Sequence, residues 1–153
     1  MKNKKKSTFV YEGFGFPIKL IHAPMKKVLG EWVLDIDMNK LEHAVLKALI
    51  HKPTLLNGNE LKFIRKFLNM TTTAFGKLFD VSHVAILKWE NGKTHTNPSS
   101  EICIRLHVLN HLQVKDKDFR NLYNTLGPGK LEKRRNERTH NLSINMSEDL
   151  KSA

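Results

Sequence analysis

Residues 57–92, NGNELKFIRKFLNMTTTAFGKLFDVSHVAILKWENG, hold three short amphipathic segments separated by two abrupt breaks, and this pattern constrains the fold more than any other stretch of the chain. The first segment opens at Asn57 with Glu60 three residues on, the spacing of a capping box, and sets Leu61, Ile64, Phe67 and Leu68 on one helical face. The second starts in the hydroxyl run Thr71, Thr72 and Thr73, whose oxygens can accept from the free amides of a helix N-terminus. It is expected to bury Phe75, Leu78 and Phe79 before Asp80 breaks it. Ser82 caps the third. There Ile86 and Trp89 turn toward the other two helices, which leaves His83, Val84, Leu87 and Lys88 on the opposite, outward arc. Asn91 and Gly92 end the segment, glycine being the residue most at ease in a left-handed C-cap.

Two helices joined by a turn of about three or four residues, the second with a short outward face, make a helix-turn-helix, the layout that places one helix in the DNA major groove. The spacing resembles the XRE family of the Cro and lambda-repressor type. The residues that carry the resemblance are the hydroxyl run Thr71 to Thr73, Gly76, Val81, Ser82, Ile86, Trp89, Glu90 and the closing ENGKT. Two positions depart from the family pattern: the usual turn glycine is Asp80, and the glutamine common at the start of the second helix is Thr72. Aspartate tolerates a positive φ better than most residues, so the turn is expected to survive.

With the third helix in the groove, the outward residues have definite capacities. His83 and Lys88 can donate to base edges, whereas Val84 and Leu87 can touch only thymine methyl groups. Direct readout is therefore modest, and phosphate contacts and DNA shape gain weight. The phosphate candidates are Thr71, Thr72, Thr73, Ser82, Lys93 and Thr94, at helix N-termini and in the loop after the third helix. The competing reading is a helix-turn-helix used for protein contact, with Val84 and Leu87 beneath a partner.

The rest of the chain is read around this unit. The formal net charge is +11, much of it in terminal runs such as MKNKKKS, and a basic balance favours a polyanionic partner. Residues 1–7 are expected to be a disordered basic arm. Residues 8–53 form a small region in which Phe16, Ile18, Leu20 and His22 alternate along one strand and residues 28–36 return as a second. A helix with an Asn39–Glu42 capping box and a Leu41, Val45, Ala48, Leu49 stripe covers that hairpin, and Pro53 stops it. The helix-turn-helix domain spans 54–126. It includes a helix from Pro98 with Ile102, Leu106, Leu109 and Leu112 buried, widened by Ile104 and Val108 enough to suggest dimerisation, and a last helix carrying Phe119, Leu122, Tyr123 and Leu126. Residues 127–153 read as a flexible polar tail.

Catalytic and metal-binding readings find little footing. No nucleophile–base set, carboxylate pair or phosphate-cradling glycine loop is spaced for catalysis, so no enzyme is expected. His107 and His111 stand at i and i+4, but no third ligand is identifiable, and neither metal nor cofactor is expected. The single cysteine, Cys103, reads as a small buried hydrophobe. No run approaches the ~18 apolar residues that cross a bilayer, and no signal core follows the N-terminus, so a cytoplasmic, nucleoid-associated protein is expected.

From Tyr11 to Leu112 the chain is similar to the MqsA-type antitoxins, through VYEGFG, NKLEHAVLKALIHKP, LLNGNELKFIRKFLNM and NPSSEICIRLHVLNHL. It lacks the two CxxC pairs with which many members hold zinc, so zinc is not carried over. The resemblance implies a homodimer on a palindromic operator, repressing its own operon, with a toxin protein as a further partner of the N-terminal region. The reading is thus a mainly α protein: a five-helix XRE-type helix-turn-helix domain with a small N-terminal β-hairpin and helix, acting as a transcriptional regulator. The alternative is a toxin-neutralising interaction module in which DNA binding is secondary.

Overall fold

The computed structural model of the protein describes residues 3–112, 117, 120, 121, 124, 141–147 and 150. The chain divides into two units, residues 1–48 with 141–153 and residues 49–140.

The first unit is built on a sheet. Strands β1 (Lys4–Tyr11), β2 (Ile18–Val28) and β3 (Glu31–Leu34) pair antiparallel in that order, and β4 (Leu142–Asn145) pairs parallel with the first half of β2. Because β1 occupies one edge of β2, β3 and β4 share the other, end to end. Ile18 and Leu20 are buried, and the alternation then slips by one so that Ala23 and Met25 are the next buried residues. The slip is a β-bulge: the β1–β2 register shifts between Ser7 and Phe9, and His22 opposite carries φ 56°. The β2–β3 turn has φ 49° at Leu29 and 86° at Gly30, the positive-φ pair of a two-residue hairpin loop. Phe16, Leu142, Ile144 and Met146, with Leu41, Ala44 and Val45 of the helix α1 (Met38–Ile50), are also buried. At the start of α1 the Asp37 carboxylate accepts from the Asn39 N–H at 2.9 Å, so the first turn is capped from Asp37 and not from Asn39.

These strands correct the expected mainly α architecture to α+β, with a four-stranded mixed sheet in place of a small hairpin. The expected basic arm is ordered sheet from Lys4 onward, because Lys4 to Ser7 pair with Ala23 to Lys26 and the Lys5 ammonium lies 4.3 Å from the Trp32 ring centre. The expected tail contains β4, whose Leu142 and Ile144 pair with Ile18 and Leu20 and are buried.

The second unit is helical: α2 (Gly58–Phe67), α3 (Thr72–Leu78), α4 (His83–Glu90) and α5 (Pro98–His111). The Asn57–Glu60 capping box forms, and Asn97 caps α5 with Pro98 in its first turn. Leu61, Ile64, Phe75, Ile86, Trp89, Ile102, Ile104, Val108 and Leu109 are buried. Cys103, expected inside, is exposed, since the buried arc of α5 runs through Glu101, Arg105 and Val108 instead. The helix expected over residues 116–126 lies outside the described residues except at 117, 120, 121 and 124, which are helical.

Charged groups hold much of this interior. Lys52 Nζ donates to both carboxylate oxygens of Glu60 at 2.8 and 2.9 Å, with both side chains buried. Burial pushes the Glu60 carboxyl above its usual range, and the Lys52 ammonium pulls it back. Arg105, fully buried, donates to the carbonyls of Ile50, Lys52 and Thr54 and to Glu101. Glu101 in turn accepts from the Leu56 N–H and the Thr96 hydroxyl. Segment 50–56 is thereby tied to α5 by its own backbone groups, which would otherwise be buried without partners.

Candidate nucleic-acid interface

The turn between α3 and α4 is set by the backbone. After α3 the chain passes through Phe79 into Asp80, which holds φ 56°; Val81 N–H then donates to Gly76 O at 2.9 Å and Asp80 N–H to Lys77 O at 3.4 Å. That pair of bonds around a left-handed residue is a Schellman cap. The same device ends α2, with Asn69 at φ 59°, Met70 N–H on Arg65 O and Asn69 N–H on Lys66 O. It ends α4 as well, with Gly92 at φ 71°, Lys93 N–H on Lys88 O and Gly92 N–H on Trp89 O. Asn, Asp and Gly are the residues that reach this conformation at least cost, so three helices in succession stop by one mechanism.

Each following helix starts with a hydroxyl. Thr71 Oγ1 accepts from Ala74 N–H and Ser82 Oγ from Ala85 N–H, both at 3.1 Å. Capping occupies one lone pair of each oxygen and leaves the O–H free to donate to a phosphate. Thr73 is exposed and Thr72 half-buried on the first turn of α3; Lys93 and Thr94 are exposed beyond α4.

Packing then fixes which way α4 faces. At Gly76 a Cβ would come within 2.5 Å of Val81 O, so only glycine lets the turn fold back on α3. At Gly58 a Cβ would overlap the Glu90 and Trp89 carbonyls, so the start of α2 sits directly on the end of α4. Arg65 reaches across with Nε on Glu90 Oε1 at 2.7 Å and Nη1 on Met70 O at 2.9 Å, linking α2, the α2–α3 turn and α4. Ile86, Trp89 and Glu90 are buried. His83, Val84, Leu87 and Lys88 are exposed together on the remaining arc, Val84 by 47% and Leu87 by 42%.

Some side chains take other places than expected. Leu78 is 43% exposed, because Phe75 and Phe79, stacked edge-to-face at 4.9 Å, fill the interior without it. His107 and His111 lie edge-on to Phe79 and Phe67 at 5.8 and 6.1 Å. Burial, and then the neighbouring His111, lower the His107 pKa. The Arg65–Glu90 pair and the close approach at Gly58 are not visible in the sequence pattern. Arg65 reads as one more charge on an exposed face, and only Glu90, two residues before Gly92, stands inside a recognisable motif.

Comparison with protein-family models, with curated proteins and with solved structures returns no match.

Proposed function

We propose that this protein is a sequence-specific, double-stranded DNA-binding transcriptional regulator that acts as a homodimer on a palindromic operator, without enzymatic activity. One observation carries the reading. The arc of α4 that the helix-turn-helix leaves uncovered consists of His83, Val84, Leu87 and Lys88, while everything else about α4 is spent on holding its orientation. An exposed, rigidly held helix after a tight turn is what major-groove reading needs. In this reading His83 and Lys88 donate to base edges, and Val84 and Leu87 meet thymine methyls. The hydroxyls of Thr71, Thr72, Thr73, Ser82 and Thr94, with the Lys93 ammonium, position the helix on phosphates. Occupying a promoter suffices for repression, and two such helices related by a two-fold axis would address half-sites about one helical turn apart. No described helix is long and apolar enough to cross a membrane.

The test is a fluorescence anisotropy titration of the purified protein against the duplex upstream of its own gene and a scrambled duplex, at ~0.15 M salt. A preference of ~10³ or more for the native duplex is expected of a specific regulator. Equal and weak binding to both would refute sequence-specific regulation of that promoter.

A further inference from the structure

The sheet of the first unit buries Ile18, Leu20, Ala23 and Met25 on one face, and the opposite face carries exposed lysines. Register places Lys4 opposite Lys26, Lys6 opposite Pro24, and Val10 opposite Lys19, so Lys4, Lys6, Lys19 and Lys26 all stand on the side away from Ile18, Leu20, Ala23 and Met25. Residues 19 and 26 are an odd number apart and would face opposite ways along a regular strand. The bulge at His22 inserts the extra residue that brings both to the same face. Lys5, on the other face, is turned over Trp32. Carboxylates stand nearby: Glu31 pairs with Val28 at the sheet's end, Asp35 is shared between Lys4 at 3.8 Å and Lys26 at 3.4 Å, and Asp35 and Asp37 line a cavity with Lys6, whose ammonium donates to the Ser147 hydroxyl at 3.3 Å. The Lys4 side chain is still 82% exposed.

Same-face neighbours lie ~6.6–6.8 Å apart along a strand and ~4.7–4.9 Å across strands, so Lys4, Lys6 and Lys26 form one dense cationic cluster with Lys19 further along β2. Asp35 and Asp37 offset only part of the charge of these four ammonium groups, and a polyanion met at the surface is the partner that suits the excess. We propose that this face is a second, sequence-indifferent nucleic-acid contact, in which Lys4, Lys6, Lys19 and Lys26 neutralise backbone phosphates. The inference rests on the reading of the chain as a DNA-binding protein and adds to it a surface outside the helix-turn-helix.

The experiment is the salt dependence of binding to the upstream duplex, measured by anisotropy on the full chain. Every phosphate that the protein no longer neutralises lowers the slope of log K against log[salt] by ~0.9, so a Lys4→Ser/Lys6→Ser/Lys19→Ser/Lys26→Ser variant is expected to show a slope smaller by ~3 to 4. The corresponding four-fold Lys→Arg variant should keep it. Circular dichroism and a thermal melt establish that the serine variant is folded; if it is not, the Lys6→Ser/Lys19→Ser pair is used, with an expected reduction of ~2. An unchanged slope in a folded variant overturns the proposal. A second arm separates it from the reading of α4: a His83→Ala/Lys88→Ala protein should retain weak, salt-dependent binding to any duplex, and the serine substitutions should lower the salt slope of that binding by the same ~3 to 4. If the chain binds no duplex at all, both readings fall; if it binds specifically with the slope untouched by the lysines, only this one does.

Discussion

Replacing His83 and Lys88 with alanine removes the two hydrogen-bonding side chains from the four-residue arc that α4 exposes. The fold should not notice. Both residues are exposed, alanine is a better helix former than histidine, and surface changes of this kind stay within about 0.5 kcal/mol. What holds α4 lies elsewhere: the Ser82 cap, the buried Ile86 and Trp89, and the Arg65–Glu90 pair. Binding should respond strongly. A good base contact is worth roughly 1–3 kcal/mol, so removing two weakens specific binding by roughly 2–6 kcal/mol, or about 30-fold to 10⁴-fold. The assay is anisotropy on the native and scrambled duplexes, with urea unfolding of the same preparations. The expected signature is weaker binding to the native duplex with little change on the scrambled one, because base contacts carry sequence information and phosphate contacts do not. Equal weakening on both duplexes would make the two side chains phosphate contacts, and no weakening would remove α4 as the reading helix.

Four further outcomes follow from the packing. Gly76→Ala gains up to about 1 kcal/mol in helix propensity but drives a methyl into Val81 O, and should lower stability by about 1–2 kcal/mol in urea unfolding; a neutral result would show that the turn can yield. Lys52→Met strands the Glu60 carboxylate in the interior and should cost about 3–5 kcal/mol, with much of it recovered in Lys52→Met/Glu60→Gln; strictly additive single mutants would deny the pair. His107 is held below its ordinary value near 6.5, so the unfolded chain takes up its proton first. Stability should therefore decline as pH falls through about 6.5 and level off below the folded value, and His107→Leu should flatten that decline in urea midpoints measured from pH 8 to 5. Leu29 is fully exposed at φ 49°, so it sacrifices no packing when changed, and Leu29→Asn should stabilise the hairpin by about 1 kcal/mol; a lower melting temperature would contradict the turn assignment.

How much was legible in the sequence depends on how local the determining interactions are. The Asn57–Glu60 box, the Thr71, Ser82 and Asn97 caps and the outward arc of α4 arise from residues within a turn or two of one another, and periodicity finds them. β4 could not be found this way. Leu142 and Ile144 alternate over only four residues inside a polar stretch, and the strand they pair with lies more than a hundred residues earlier, at Ile18 and Leu20. The lysine run at the N-terminus defeats composition for a related reason: pairing with Ala23 to Lys26 decides its structure, and composition knows nothing of pairing. On α5 the apolar stripe misplaces Cys103 because two charged residues, Glu101 and Arg105, take buried positions that hydrophobic periodicity assigns only to apolar side chains. In the candidate interface the outward direction of His83, Val84, Leu87 and Lys88 was visible, while Arg65 and Gly58, which hold the helix that carries them, were not. A side chain's outward direction is a local property, whereas the contact that fixes a helix angle is a tertiary one.

That difference bears on how so short a helix as α4 is held at a fixed angle. α3 and α4 are seven and eight residues long, below the length at which a helix is stable alone, so their structure and their angle must come from tertiary constraint. Apolar packing would supply stability but little direction, since hydrophobic contacts are non-directional. The constraints found here are directional instead: three left-handed caps that set the exit of each helix, two glycines that allow backbone to approach backbone, and a guanidinium that engages α4 and the α2–α3 turn at once. A partly buried ion pair of this kind adds little net stability, because desolvation cancels much of its Coulomb energy. It does penalise every arrangement in which Glu90 moves away from Arg65. The geometry that presents His83, Val84, Leu87 and Lys88 is thus held by groups chosen for direction, and the apolar core beneath supplies the free energy that lets them act.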